Sequence, residues 1–419
     1  MIGSGIFMLP AALAPYGLNS LWGWLITATG ALLLAYVFAA LSRALPQAGG
    51  PYVFTRLAFG EWAGFLTAWG YWVSMWVGSA AIATGSVSYL LRLFPQVDAP
   101  LAPYATIVIV WILTLINCLG LRMAGAVQIV TTVLKLLPLI AIALFALAWL
   151  GSDEAVMIVD PQPNNLDSIT AAATLTLWAL LGFESATVPA DRVHDAPRVL
   201  PRAILTGTLL TAVVYVIACS AVQLLIPAAE LAASTAPFAD LARLWWGDSA
   251  AWWLTLFVVI SGVGCLNGWI LVQAEMPRAM AAHGAFPAVF ARQSCFDTPM
   301  FSLVFTSGLV TALVVANYSK TLVEVFTFMI LISTSATLIV YLACSLAAIR
   351  LAWRGELGTQ ALSFRLLMVT AFLGAIYALW TLTGAGREAV LWSLVLMLAG
   401  VPVYAYVRWN KKHAASFAH

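Results

Sequence analysis

Long apolar runs alternate along the chain with short stretches that are polar or carry Pro and Gly. The runs lie near 18–42, 62–93, 103–120, 126–150, 168–190, 200–226, 250–281, 300–317, 323–349, 363–382 and 388–408. Each has about the length a helix needs to cross a bilayer, roughly 20 residues. None alternates at period two, which excludes a β-barrel. A shorter apolar run, Ile6 to Tyr16, precedes them and reads as the second half of a further span. The connecting stretches, such as Leu45 to Pro51 and Asp160 to Asn165, are too short to hold a soluble domain. The pattern predicts an all-α integral membrane protein, one transmembrane domain over 1–419.

Composition sharpens this picture. Of 419 residues, 63% are hydrophobic and only 9% are charged, against about 25% charged in soluble domains. Such a chain cannot cover a globule with solvated groups, so a soluble enzyme, a disordered chain and a nucleic-acid binder are excluded. The cysteines Cys118, Cys219, Cys265, Cys295 and Cys344 form no CxxC pair. No disulfide framework, metal site or cofactor is expected.

The net charge is near zero, so the position of each charge matters more than the total. With the loop after the 18–42 span placed in the cytoplasm, the outer side keeps only Arg92, Arg243, Lys320 and Arg387 of the 19 basic residues. Lys135 lies inside a span, and all the others fall on the cytoplasmic side. The positive-inside rule therefore puts the C-terminus in the cytoplasm of a multi-pass inner-membrane protein.

Two apolar runs carry polar, Gly-bearing interruptions: Gly3-Ser4-Gly5, and Leu181-Gly182-Phe183-Glu184-Ser185. Non-helical backbone at membrane depth survives where it lines a cavity. The free N–H groups at the start of a half-helix suit a carboxylate, and free carbonyls at the end of one suit an ammonium. Two such breaks therefore suit an amino acid. They fall at corresponding places in two five-helix halves, the pattern of inverted-repeat secondary transporters. The halves would span about 1–150 and 168–349, with two additional helices over 363–408. The plainer alternative is that small residues only let helices pack closely.

Gly3-Ser4-Gly5-Ile6-Phe7-Met8-Leu9-Pro10 resembles the first-helix signature of the amino acid–polyamine–organocation transporters. Gln47-Ala48-Gly49-Gly50-Pro51-Tyr52 resembles their loop after the second helix. Leu177 to Ala186 resembles the sixth helix of the arginine/agmatine and lysine/cadaverine antiporters, and Gly268-Trp269 fits the eighth. The resemblance implies a leucine-transporter-type five-plus-five fold with twelve helices, the first and sixth discontinuous. It also implies amino acid exchange or uptake by alternating access, and suggests a homodimer.

Residue by residue, the resemblance gives Ser4 and Gly5 the substrate carboxylate, beside Leu181 and Gly182 of the second break. Trp178, one turn before that break, would stack on the substrate and gate it. Tyr71 and Trp269 match aromatic positions of the cavity, and Tyr52 matches an inner-gate tyrosine. Met75, Ser79 and Ser333 fall at the side-chain end of the pocket. No carboxylate there would pair with a guanidinium, which leans towards a neutral or broadly defined amino acid. For each aromatic residue, simple packing is the competing explanation.

Two charges stand inside spans. An acid or base at that depth is functional by default. Glu184 is a candidate proton carrier or gating switch, or a structural hydrogen-bond acceptor holding the broken helix. Lys135 departs from the arginine exchanger. In sodium-independent relatives a lysine here resembles a replacement for a sodium ion, so proton coupling through Lys135 and Glu184 is expected. Snorkelling is the alternative for Lys135.

The family has a further apolar half-helix before Gly3, where this sequence has only Met1 and Ile2. This suggests an incorrectly assigned start or a truncated copy. The expected function is sodium-independent, proton-coupled or exchange transport of amino acids across the bilayer. The alternatives are a basic amino acid/polyamine antiporter and a truncated, non-transporting remnant. An enzyme is not expected, because no nucleophile–base pair falls within the spans.

Overall fold

A computed structural model describes residues 3, 5–94, 96, 99–150, 163–317, 320–358 and 361–416. Among these residues the fold is entirely helical. Apolar runs in lipid must satisfy every backbone N–H and C=O internally, and the helix does so within one segment. The helices are α1 Gly5–Leu13, α2 Asn19–Ala44, α3 Pro51–Phe59, α4 Glu61–Leu93, α5 Ala102–Cys118 and α6 Leu121–Leu150. They continue as α7 Leu166–Leu180, α8 Ala196–Leu225, α9 Ala228–Ala233, α10 Pro237–Trp246, α11 Asp248–Ala282 and α12 Met300–Ala316. The last four are α13 Leu322–Trp353, α14 Ala361–Thr383, α15 Arg387–Leu398 and α16 Gly400–Ser416.

Among the described residues, six helical segments are long and apolar enough to cross a membrane: Asn19–Ala44, Ala196–Leu225, Asp248–Ala282, Leu322–Trp353, Ser363–Thr383 and Arg387–Lys411. Stripes of exposed apolar residues recur every three or four positions. Tyr104, Val108, Ile112 and Leu115 form one on α5, and Leu366, Val369, Phe372 and Ile376 form one on α14. A soluble helix turns such a stripe towards its core. Here it faces outward, as in a multi-pass membrane protein.

The observed helices match most of the expected runs, with three differences. The 62–93 run is a single helix, α4, yet it does not qualify by apolarity. It is the central helix: every residue from Thr67 to Tyr89 is buried. It packs against α11, α13, α3 and α5, so its surface is built from Gly, Ser, Trp and Tyr rather than from lipid-facing Leu and Ile. The 168–190 run is helical only to Leu180. The 388–408 run is interrupted between Leu398 and Gly400, where Gly400 and Pro402 favour a change of direction.

Candidate functional site: a cavity between two helix breaks

The α7 helix starts at an N-cap, where the Asn165 side chain accepts from the Asp167 N–H at 2.9 Å. It stops because Leu181 turns extended and Gly182 adopts φ +114°, a region that side chains with a Cβ rarely enter. The chain then runs through tight turns over Glu184–Thr187 and Ala190–Arg192 before α8 begins. Between Leu180 and Ala196 the backbone holds no α-helix and must satisfy its polar groups locally. The Ser185 hydroxyl donates to the Gly182 carbonyl at 2.6 Å, and the Thr187 hydroxyl donates to the Glu184 carbonyl at 2.7 Å. The Gly49 N–H donates to the Val188 carbonyl at 2.8 Å, tying the loop after α2 to the same segment.

Glu184 is the hub of the break. Its carboxylate accepts from the Gly182 N–H at 3.1 and 3.0 Å, one distance to each oxygen. The Tyr71 hydroxyl of α4 donates to Oε1 at 3.2 Å, and the Tyr341 hydroxyl of α13 donates to Oε2 at 2.6 Å. Phe183 stacks on the Tyr341 ring at 5.2 Å, and Phe38 meets both edge-on. The acid is 1% exposed. Three donors on a buried carboxylate tie three elements together, and all depend on its protonation state. Adding a proton turns one acceptor oxygen into a donor, and a tyrosine hydroxyl must then turn or let go.

Beside this cage lies a cavity of about 40 Å³, enough for a few water molecules. Gly3, Gly5 and Ile6 line it from the first break. Trp178, Ala179, Leu181 and Glu184 line it from the second. Ser74, Met75, Gly78 and Ile82 come from α4, Cys265 and Trp269 from α11, and Ser333 and Thr337 from α13. The start of α1 and the break after α7 thus meet in one space. The Trp178 ring lies directly over Gly5: a Cβ there would fall 1.7 Å from the indole. The Trp178 ring meets Phe326 of α13 in a T-shaped contact at 5.4 Å. A wider cavity of about 590 Å³ begins at Thr84 and at Val325, the neighbour of Phe326.

Of the residues singled out from sequence, Gly5, Met75, Trp178, Leu181, Glu184, Trp269 and Ser333 line the cavity. Gly182 lies behind it and anchors the Glu184 carboxylate. Tyr71 stands beneath it on the same carboxylate. Tyr52 is farther off, buried on α3 with its ring 5.5 Å from His283 and the Arg56 guanidinium above it. Burial first, and the nearby Glu61 second, push the Tyr52 hydroxyl up to about 12, so it stays neutral in cells. Ser79 does not line the cavity. Its hydroxyl bonds the Met75 carbonyl at 2.9 Å and Gln273 Oε1 of α11 at 2.8 Å. Ser4 and the Lys135 side chain lie outside the described residues.

Sequence reasoning missed Tyr341, Phe326, Cys265 and Gln273. A tyrosine or phenylalanine in an apolar helix looks like any packing residue. Only its spacing from a matched position could have marked it, as with Ser333, two turns from Tyr341.

A profile of the amino acid permease family matches residues 1–407. The chain belongs to the amino acid permease family. It is 30% identical over 414 residues to the putrescine transporter PotE of Haemophilus influenzae, covering 98% of this chain and 94% of that one. It is 29% identical over 412 residues to the PotE of Escherichia coli, covering 97% and 93%. The cadaverine/lysine antiporter of Escherichia coli is 33% identical over 320 residues, 75% of this chain and 71% of the relative.

Proposed function

We propose that this permease is a secondary transporter that moves amino acids, or amines related to them, across the cytoplasmic membrane by alternating access. The observation that carries the reading is the pairing of a buried, triply bonded carboxylate, Glu184, with a cavity walled by two helix breaks. The N-terminus of α1 presents free N–H groups to the cavity at Gly5 and Ile6, and these suit an α-carboxylate. Trp178 closes the cavity over Gly5 and opens only when its ring swings away. The Tyr71–Glu184–Tyr341 cage is the closure towards the cytoplasm, and substrate or a proton on Glu184 releases it. The two breaks then stand at equivalent points of a five-plus-five inverted repeat with twelve helices. Lys135, within α6, takes the place of a coupling sodium ion, which makes transport sodium-independent.

A second reading, a basic amino acid/polyamine antiporter, is supported by the names of the relatives and by the acid in the cavity wall. A diamine has no carboxylate to place at the α1 N-terminus, and the positive end of that helix dipole repels a second ammonium.

Counterflow in proteoliposomes tests the reading, with labelled amino acids and polyamines and with or without a pH gradient. Accumulation of at least one labelled amino acid, without sodium, is expected. No uptake of any member of the panel would overturn it.

A further inference from the structure

Met75 and Gly78 of α4 line the cavity, and the next residue of α4, Ser79, is polar. The Ser79 hydroxyl bonds Gln273 Oε1 at 2.8 Å. Gln273 lies on α11, one turn beyond the cavity-lining Trp269, and its exposure is 0%. Its amide nitrogen, Nε2, is buried without a hydrogen-bond partner. A buried donor left unpaired is costly, and native proteins keep few of them. The layer in front is close-packed: the Ser333 hydroxyl, which donates to the Ser74 carbonyl at 2.8 Å, lies 3.0 Å from where a Gly78 Cβ would stand. Met75 is the movable part. It is an unbranched thioether that repacks with little penalty.

We propose that Gln273, acting with Ser79, reads the far end of the substrate and selects neutral side chains that carry a hydrogen-bond acceptor, such as a carboxamide, over a second ammonium. The proposal rests on the transport reading above. An amino acid with its carboxylate at the α1 N-terminus points its side chain towards Met75. When Met75 yields, a side-chain carbonyl takes the unpaired Nε2–H, and the Ser79 oxygen, whose own proton stays on Gln273 Oε1, accepts from the carboxamide NH2. A terminal ammonium offers only donors, which leave Nε2 unpaired and place a full charge among neutral groups. The helix positions of Ser79 and Gln273 are not altered by the exchange, because each stays bonded to the other.

The test is counterflow with labelled glutamine, leucine, lysine and putrescine on the wild-type chain, Gln273→Glu and Gln273→Leu, each checked for monodispersity after purification. The wild type is expected to favour glutamine over lysine and putrescine. Gln273→Glu supplies a charged acceptor, and the lysine-to-glutamine rate ratio should rise at least tenfold. Gln273→Leu should lower the glutamine-to-leucine ratio at least tenfold while leucine is still carried, which a purely structural role would not produce. A wild type that prefers putrescine or lysine would overturn the proposal. So would ratios that stay at the wild-type values in both variants, or variants that misfold while Ser79→Ala, which removes the glutamine partner's hydroxyl, leaves selectivity unchanged. A wild type that carries nothing would instead remove the transport reading, and this proposal with it.

Discussion

The two proposed closures of the central cavity are built from different materials. Around Glu184 the closure is polar: one carboxylate holds Gly182, Tyr71 and Tyr341 with four hydrogen-bond distances of 3.2 Å or less. Around Trp178 it is apolar: an indole pressed on Gly5 and one edge contact to Phe326. Hydrogen bonds to a buried charge are strong and directional, and a single proton rearranges them. An aromatic lid has no such trigger and responds to the shape and charge of what lies beneath it. On the proposed transport reading, proton sensing falls to the first closure and substrate sensing to the second.

The largest effect should come from the apolar closure. Gly5→Ala puts a methyl 1.7 Å from the Trp178 ring, so transport should fall at least about tenfold, since overpacking of this kind costs roughly 1–3 kcal/mol. Counterflow on Gly5→Ala checks it, and near-normal rates would show that the lid is not seated as described. Trp178→Ala removes a lid rather than blocking one. Apparent substrate affinity should drop by about tenfold, since a cation over an indole contributes up to roughly 2 kcal/mol. Unchanged affinity in a binding assay would reduce Trp178 to packing.

An effect of comparable size, and one much smaller, are expected at the polar closure and beside it, where partners can be removed singly. Tyr341→Phe deletes the 2.6 Å bond to Glu184. A hydrogen bond to a charged group contributes about 1.5–3 kcal/mol, so the closed state should be weakened by about tenfold or more. Accessibility of a cysteine placed at Ser185 reports this, and equal labelling in both proteins would count against the cage. Tyr52→Phe should change least. Its hydroxyl, with its pKa pushed up to about 12, does not titrate between roughly pH 5 and 9, so the pH profile should keep its shape. An altered profile would move proton sensing towards Tyr52 and blur the contrast between the closures.

How much of this the sequence disclosed depended on how unusual each residue was in its setting. Gly182 and Glu184 were legible because neither belongs inside an apolar helix. Gly3 and Gly5 stood out for the same reason, and the structure brings both to the cavity that the Gly182–Glu184 break lines. The long helices were legible from their length, although α4, buried from Thr67 to Tyr89, is only moderately apolar. Tyr341 and Phe326 could not be read, since aromatic residues are ordinary in apolar helices and only the fold brings these two to Glu184 and Trp178. Ser79 shows the limit of position-by-position reasoning. Its place in the chain suggested the cavity, but the rotation of α4 turns its hydroxyl to Gln273 instead.

On the proposed mechanism, the Glu184 carboxylate is the protonation-dependent closure. Counterflow of one carried amino acid, measured across a pH series for the wild type and Glu184→Gln, tests it most directly. A pH-dependent rate is expected in the wild type and a flat profile in Glu184→Gln, with substrate affinity retained. A Glu184→Gln protein that keeps the wild-type pH profile would contradict it.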